Sequence, residues 1–124
     1  MTTHEAIKLI EIYGKAWETK DPNLIVTIFT DDATYDDPKE PKNNGIEEIR
    51  KYWETKVIGE QDNIKFNLKN VWVDSDIVIA EWNATFIDVP RNLHIDLDEV
   101  AIFGTRDGKF SSLREYYKST KTPL

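Results

Sequence analysis

One predicted β-strand of the sequence carries a carboxylate where its neighbours are apolar. Side chains alternate across a strand, so every second residue shares a face. The face that holds Glu99 is otherwise made of Leu93, Ile95, Leu97, Ala101 and Phe103. A buried ionised carboxylate is costly unless it is paired, and its pKa tends to rise. Glu99 either pairs with Arg114 or Arg106 or meets water at the sheet edge, or it is a carboxyl group inside a cavity, where perturbed carboxyls concentrate.

The strands before and after it predict the surroundings of Glu99. The preceding strand has one largely apolar face, made of Val78, Ala80, Trp82, Ala84 and Phe86. On the last strand, Glu115 shares a face with Leu113 and Tyr117. We expect these faces to form one interior wall, which places Glu115 inside together with Glu99.

Other catalytic and metal chemistries find little support in the residue types. The chain has no cysteine and only two histidines, so a thiolate site, a Cys nucleophile and a disulfide are excluded. His4 falls in the first helical turn and His94 on the strand face opposite Glu99, which does not favour zinc. A hard cation could be held by oxygens of Asp36, Asp37, Glu99 and Glu115. No metal and no cofactor are assigned.

Three helices are predicted to precede the strands. Thr2 and Glu5 form a capping box before a helix from about Thr3 to Thr19. Asp21-Pro22 starts a second helix, ended by Asp31-Asp32. The third follows Gly45, and its buried side is made of Ile46, Ile49, Trp53 and Val57.

The strands are separated by closely spaced turn signals. A short strand spans Ala33 to Asp36, and the long strands span Asn63 to Val73, Ile77 to Val89, Leu93 to Thr105 and Lys109 to Lys118. Turns this close together predict hairpins and hence an antiparallel meander, which must twist at this length. Helices followed by strands indicate the α+β class, as a single domain over residues 1–124.

Charge and hydropathy exclude several partner classes. The 124 residues carry a net charge of −7, which disfavours binding to nucleic acid and to anionic membranes. No apolar run is long enough for a spanning helix, and no leader pattern is visible at the start. Together with the absence of cysteine, this leads us to expect a cytoplasmic location.

Three stretches of the sequence resemble a known family. Residues from Tyr13 to Pro38, Gly45 to Trp53 and Arg106 to Tyr117 look like the SnoaL-like branch of the nuclear transport factor 2-like superfamily. The resemblance covers nearly the whole chain. It implies a cone-shaped, cystatin-like fold, with three N-terminal helices packed on a strongly bent antiparallel sheet that encloses a pocket. This fold hosts isomerases, cyclases, dehydratases, hydrolases and non-catalytic binders.

Within that superfamily the first half is similar to bacterial ketosteroid isomerase, which implies roles for three residues. Tyr13 falls on the tyrosine of the oxyanion hole, and Asp37, just before Pro38, falls on the proton-shuttling base. Glu99 falls near the late-strand acid, where it is one methylene longer, and Asp98 is an alternative on the opposite face. A core tyrosine whose hydroxyl reaches the surface, for Tyr13, and a solvated acidic turn, for Asp37, remain the alternatives.

The same comparison and the aromatic content predict a ligand pocket. The expected ligand-binding residues are Trp17, Tyr35, Trp53, Trp82, Phe86, Phe103, Glu115 and Tyr117. We expect a small-molecule ligand and a cofactor-free acid–base enzyme acting on a small carbonyl compound by isomerisation, cyclisation or dehydration. The alternative is a non-catalytic ligand-binding or dimerisation domain.

A homodimer is expected through the outer sheet face. That face mixes apolar and polar side chains, as an interface between sheets would. Its members are Ile79, Glu81, Asn83, Thr85, Ile87, Asp98, Val100 and Ile102.

Overall fold

The structure is a computed structural model that describes all 124 residues. It opens with helix α1, Thr3–Glu18, and the predicted capping box is present. The Thr2 hydroxyl accepts from the Glu5 amide at 3.1 Å, and the Glu5 carboxylate accepts from the Thr2 amide at 3.0 Å. These two bonds satisfy amide groups that a helix start leaves without partners.

The second helix is much shorter than the sequence predicts. Helix α2, Pro22–Ile25, is capped by Asp21 and passes into a 3-10 turn, Val26–Ile28. Strand β1, Phe29–Asp36, begins where the helix was expected to continue, so the prediction that Asp31-Asp32 ends the helix was wrong. The physical reason is tertiary, because Phe29 pairs with Phe110 of the last strand and their rings lie 6.3 Å apart.

A two-residue strand and the third helix follow β1. Strand β2, Asn43–Asn44, pairs antiparallel with β1 and was not predicted. Helix α3, Ile46–Trp53, continues as a π-helical turn, Glu54–Ile58. No helix of the structure combines the length and the apolar character that crossing a membrane requires.

The rest of the chain forms four long strands. They are β3, Gln61–Asp74; β4, Ile77–Asp88; β5, Leu93–Arg106; and β6, Lys109–Pro123. These four strands form the predicted antiparallel meander, and β1 joins it in parallel with β6. The sheet order is β2-β1-β6-β5-β4-β3. Strand β6 extends beyond the predicted end at Lys118 because residues 119–123 keep pairing with β5.

The helices cover one face of the sheet, which we call the inner face. Gly14 lets α1 approach β3, because a Cβ atom there would lie 2.3 Å from the Phe66 ring. A bulge between Gly104 and Thr105 changes the alternation in β6, so that Phe110 is buried as well as Leu113. The chain is therefore an α+β fold of three helices and a curved six-stranded sheet.

Candidate functional site

A cavity of about 370 Å³ lies between the helices and the inner face. Its buried part is formed by Tyr13, Glu99 and Glu115, whereas the exposed Arg91 stands at its mouth. Asp37 lines the same cavity and is also buried. The buried lining therefore contains three carboxyl groups, those of Asp37, Glu99 and Glu115. Buried carboxyl groups are costly unless they are protonated, paired or hydrogen-bonded.

Glu99 and Glu115 form an acid pair on neighbouring strands. Glu99 pairs across the strands with Tyr117, two residues from Glu115, so both carboxyls lie on the inner face. Burial, followed by the charge of Glu115, raises the pKa of Glu99 well above its usual value. Burial likewise raises the pKa of Glu115, to about 7. The pair therefore retains at least one proton at neutral pH.

Glu99 itself has an unused oxygen. Only 3% of the residue is exposed, and its buried Oε2 has no hydrogen-bond partner. The predicted alternative of a pairing with arginine is not realised. Arg106 is bound to Asp32, and Arg114 is exposed and contacts the Tyr116 hydroxyl at 3.4 Å. A protonated Glu99 therefore has a hydrogen-bonding group that no other side chain of the protein uses.

The hydroxyl of Tyr13 lies next to the acid pair. It donates to Glu115 Oε1 at 3.2 Å and shares a hydrogen bond with the Tyr35 hydroxyl at 3.1 Å. Tyr13 is 2% exposed, so its hydroxyl is not at the surface. Burial and the charge of Glu115 raise the pKa of Tyr13 well above its usual value, which keeps it a neutral donor. Its bond goes to Glu115 and not to Glu99.

The environment of Asp37 differs from that of Glu99, because hydrogen-bond donors surround the Asp37 carboxyl group. Its Oδ1 accepts from the Tyr117 hydroxyl at 2.7 Å and from the Lys39 amide at 3.0 Å. Its Oδ2 accepts from the Tyr52 hydroxyl at 2.5 Å. Three donors fit the ionised carboxylate, which only accepts. With 9% of the residue exposed, Asp37 does not lie in a solvated turn.

Tyr52 is the contact that sequence reasoning missed. It follows the buried Ile49 of α3 by three residues, so it lies beside the apolar stripe, and this spacing was the available signal. Gln61 was missed as well, and it lines the cavity and accepts from the Trp17 indole at 2.7 Å. Nothing in its local pattern distinguishes Gln61 from other polar residues at the start of a strand.

The predicted aromatic residues divide into two groups. Five of them line the cavity, namely Trp17, Tyr35, Trp53, Phe86 and Tyr117. Trp82 and Phe103 do not line it, which differs from the prediction. Trp82 is fully buried with its ring 5.0 Å from that of Tyr13, and Phe103 stacks on Phe110 at 4.0 Å. Both support the wall from the core behind it.

No group of three or more His, Cys, Asp or Glu side chains is arranged to hold a metal ion.

Comparison with solved structures shows the fold. An NTF2-like protein of Anabaena variabilis is 19% identical, with a TM-score of 0.82 over 94% of this chain and 89% of that chain. A Catenulispora acidiphila protein with a ketosteroid isomerase-like fold, in complex with trimethylamine, is 21% identical, with a TM-score of 0.80 over 89% and 85%. A LEH-like epoxide hydrolase of M. tuberculosis is 19% identical, with a TM-score of 0.76 over 94% and 84%.

Sequence comparison assigns the family. No curated protein matches the chain. The family model of the SnoaL-like domain matches residues 10–113, which include β1, the Asp37 loop and most of the sheet. The chain therefore belongs to the SnoaL-like domain family, and its fold is that of NTF2-like proteins.

Proposed function

We propose that the cavity is a ligand pocket within a cone-shaped fold, and that the protein is a cofactor-free acid–base enzyme acting on a small carbonyl compound. One observation carries this proposal: the buried Glu99, whose pKa burial raises well above its usual value, and Asp37, whose carboxyl group accepts three hydrogen bonds, line the same cavity. Two carboxyl groups whose environments differ in this way can serve as acid and base at one pH.

Asp37 is the base in this proposal. It removes a proton from the carbon next to the carbonyl group and returns it to another carbon, so that a double bond moves and nothing is consumed. Negative charge develops on the carbonyl oxygen during the first transfer. The free oxygen of protonated Glu99 offers a hydrogen bond to that charge.

Tyr13 serves the acid pair in the resting site. Its hydroxyl is bound to Glu115, so it stabilises negative charge on that carboxyl while Glu99 keeps the proton. To donate to a ligand oxygen directly, as the resemblance implies, Tyr13 has to exchange its bond with Glu115 for one with the ligand. Both routes place a neutral donor next to the reacting oxygen.

The aromatic walls make these polar groups effective. Trp17, Tyr35, Trp53, Phe86 and Tyr117 are the side chains that we expect to contact the ligand. They replace water around the reacting group, and a lower local dielectric strengthens each hydrogen bond to the developing charge.

Solvent-deuterium incorporation tests the proposed proton transfer directly. A panel of small ketones is incubated with the protein in D2O, and exchange next to the carbonyl is followed by proton NMR. We expect exchange of at least one ketone, lowered about 100-fold or more in Asp37→Asn and in Glu99→Gln. Asp36→Asn is the matched control and keeps the parent rate. Exchange that is equal in the parent and in Asp37→Asn contradicts the proposal.

A second candidate is a non-catalytic binder of a small organic cation. It is favoured by the aromatic rings and acids of the lining and by the trimethylamine bound to the similar C. acidiphila protein. A cation would draw the proton from the acid pair, whereas a carbonyl ligand would retain it. Calorimetry with trimethylammonium in two buffers of different ionisation enthalpy therefore separates the candidates. Binding with proton release favours the cation binder.

We also propose a homodimer through the outer sheet face and a cytoplasmic location. The dimer is supported by apolar side chains on that face, of which Val100 is 38% exposed. Light scattering at micromolar concentration tests it, with Val100→Asp as the disrupting variant. A monomeric parent contradicts the dimer. The location is supported by the absence of cysteine, and imaging of a tagged chain tests it.

A further inference from the structure

The two oxygens of Asp37 are not equivalent. A carboxylate oxygen has two lone pairs for hydrogen bonds. Oδ1 uses both, because it accepts from the Tyr117 hydroxyl and from the Lys39 amide. Oδ2 accepts from the Tyr52 hydroxyl alone. One lone pair of Oδ2 is therefore the only acceptor position of Asp37 that remains unused.

We propose that Tyr52 and Tyr117 are positioning residues that hold one oxygen each of Asp37, and that the unused lone pair of Oδ2 is where the base receives its proton. This inference rests on the proposed function, in which Asp37 is the base. Neither tyrosine needs to touch the reacting carbon for this role.

The two hydroxyls reach Asp37 from different elements. Tyr52 projects from α3 and packs against the Tyr35 ring at 5.2 Å, whereas Tyr117 projects from β6 with the Lys39 ammonium 5.2 Å from its ring centroid. A loop carboxylate would otherwise turn freely into solvent. Bonds to a helix and to the sheet together fix its direction, and a fixed direction is what proximity catalysis requires.

The bonds also suit a base that must release its proton again. A hydroxyl that donates to a carboxylate favours the ionised form. When Oδ2 takes the substrate proton, the Tyr52 bond to that oxygen weakens, and its recovery favours return of the proton to the substrate. A proton shuttle needs transfer in both directions.

Other charged and titratable groups lie near Asp37, and their charges also influence its titration. A test variant must therefore leave these charges unchanged. Glu99 and Glu115 approach from the sheet, and the charge of Asp37 contributes to their raised pKa values. Lys39 lies on the same loop. Removal of a single hydroxyl changes none of these charges, so phenylalanine is the suitable replacement.

Carbon-13 NMR titration of the Asp37 carboxyl tests the inference without a substrate. In Tyr52→Phe we expect the titration midpoint to rise by about one pH unit, because Oδ2 loses its only donor. In Tyr117→Phe the rise should be smaller, because Oδ1 keeps the Lys39 amide. Tyr116→Phe removes an exposed hydroxyl from the adjacent residue and should leave the midpoint unchanged.

Activity on an exchanging ketone supplies the second readout. Tyr52→Phe should lower kcat with little change in KM, and the acid limb of the pH profile should move together with the NMR midpoint. Midpoints that coincide in the Tyr52, Tyr117 and Tyr116 variants overturn the inference. A parent protein that exchanges no ketone overturns the proposed function instead. If Tyr52→Phe does not fold, the Tyr117→Phe midpoint alone decides.

Discussion

The inner face of the sheet has two ends that come from the same strands and behave differently. At the dry end, Phe29, Phe103 and Phe110 pack ring against ring with no exposed surface. At the polar end, Glu99 and Glu115 line the cavity. Glu99 and Phe103 both lie in strand β5, and because they are an even number of positions apart, their side chains share the inner face. The alternation that builds a core thus also builds a site when acids replace apolar residues.

The two ends contribute to stability with opposite sign. Burial of apolar rings stabilises the fold, and close packing adds to it. Burial of two acids without a cation destabilises it, and this burial raises the pKa of both Glu99 and Glu115, so that the pair retains at least one proton at neutral pH. An acid pair that costs stability supports the proposed role of these residues, because carboxyl groups with perturbed pKa values concentrate at functional sites.

Removal of a ring at the dry end should have the largest effect. Phe103→Ala leaves a void against Phe110 and should lower the free energy of unfolding by about 3–5 kcal/mol. Phe86→Ala, at the cavity wall, removes the same atoms from a partly exposed site and should cost clearly less. Urea unfolding measures both. Equal losses would mean that the two ends do not differ.

The pH dependence of stability should come from the polar end. The pKa of Glu115 is raised from 4.5 to about 7 in the folded state, so between these values the native state binds more protons than the unfolded state. Its stabilising contribution is full at low pH and is lost as the pH rises to about 7. The loss is about 3 kcal/mol and should be absent in Glu115→Gln.

Unfolding of the parent and of Glu115→Gln at several pH values measures this difference. Glu48→Gln, at an exposed position of α3, is the control and should follow the parent. Parallel stability curves for the parent and Glu115→Gln would contradict a protonated acid pair.

Replacement of the acid with the unused oxygen should have the smallest effect on stability and the opposite sign. Glu99→Met keeps the length of the side chain and removes a buried polar group whose Oε2 has no hydrogen-bond partner, so stability at neutral pH should rise by about 1 kcal/mol while ketone exchange is lost. Glu81→Met, on the outer face, should bring no such gain. A destabilised Glu99→Met would show that the acid is structural.

Much of this organisation could be predicted from the sequence, because strand alternation is a local rule. Alternation alone predicts that Glu99, Glu115 and Tyr117 face the interior, and all three line the cavity. The Asp37 contacts could not be predicted in this way. They join residues 15 and 80 positions apart in the chain, and only the approach of α3 and β6 brings Tyr52 and Tyr117 to that carboxylate.

Tertiary pairing also decided where local signals failed. The sequence predicts that the second helix ends at Asp31 and Asp32. Phe29 instead pairs with Phe110 of β6, so the strand begins before these two residues. The bulge in β6 likewise turns Phe110 inward against simple alternation. Trp82 and Phe103 show the same limit, since alternation gives the face of a residue but not its depth.

The protonation states of Glu99 and Asp37 at neutral pH test the central claim most directly. Carbon-13 NMR of the side-chain carboxyl groups, assigned with Glu99→Gln and Asp37→Asn, reports both in the folded protein. We predict the signal of a carboxylic acid for Glu99 and of a carboxylate for Asp37 in the same sample. Two carboxylates, with Glu99 titrating at the usual value for glutamate, would contradict the account.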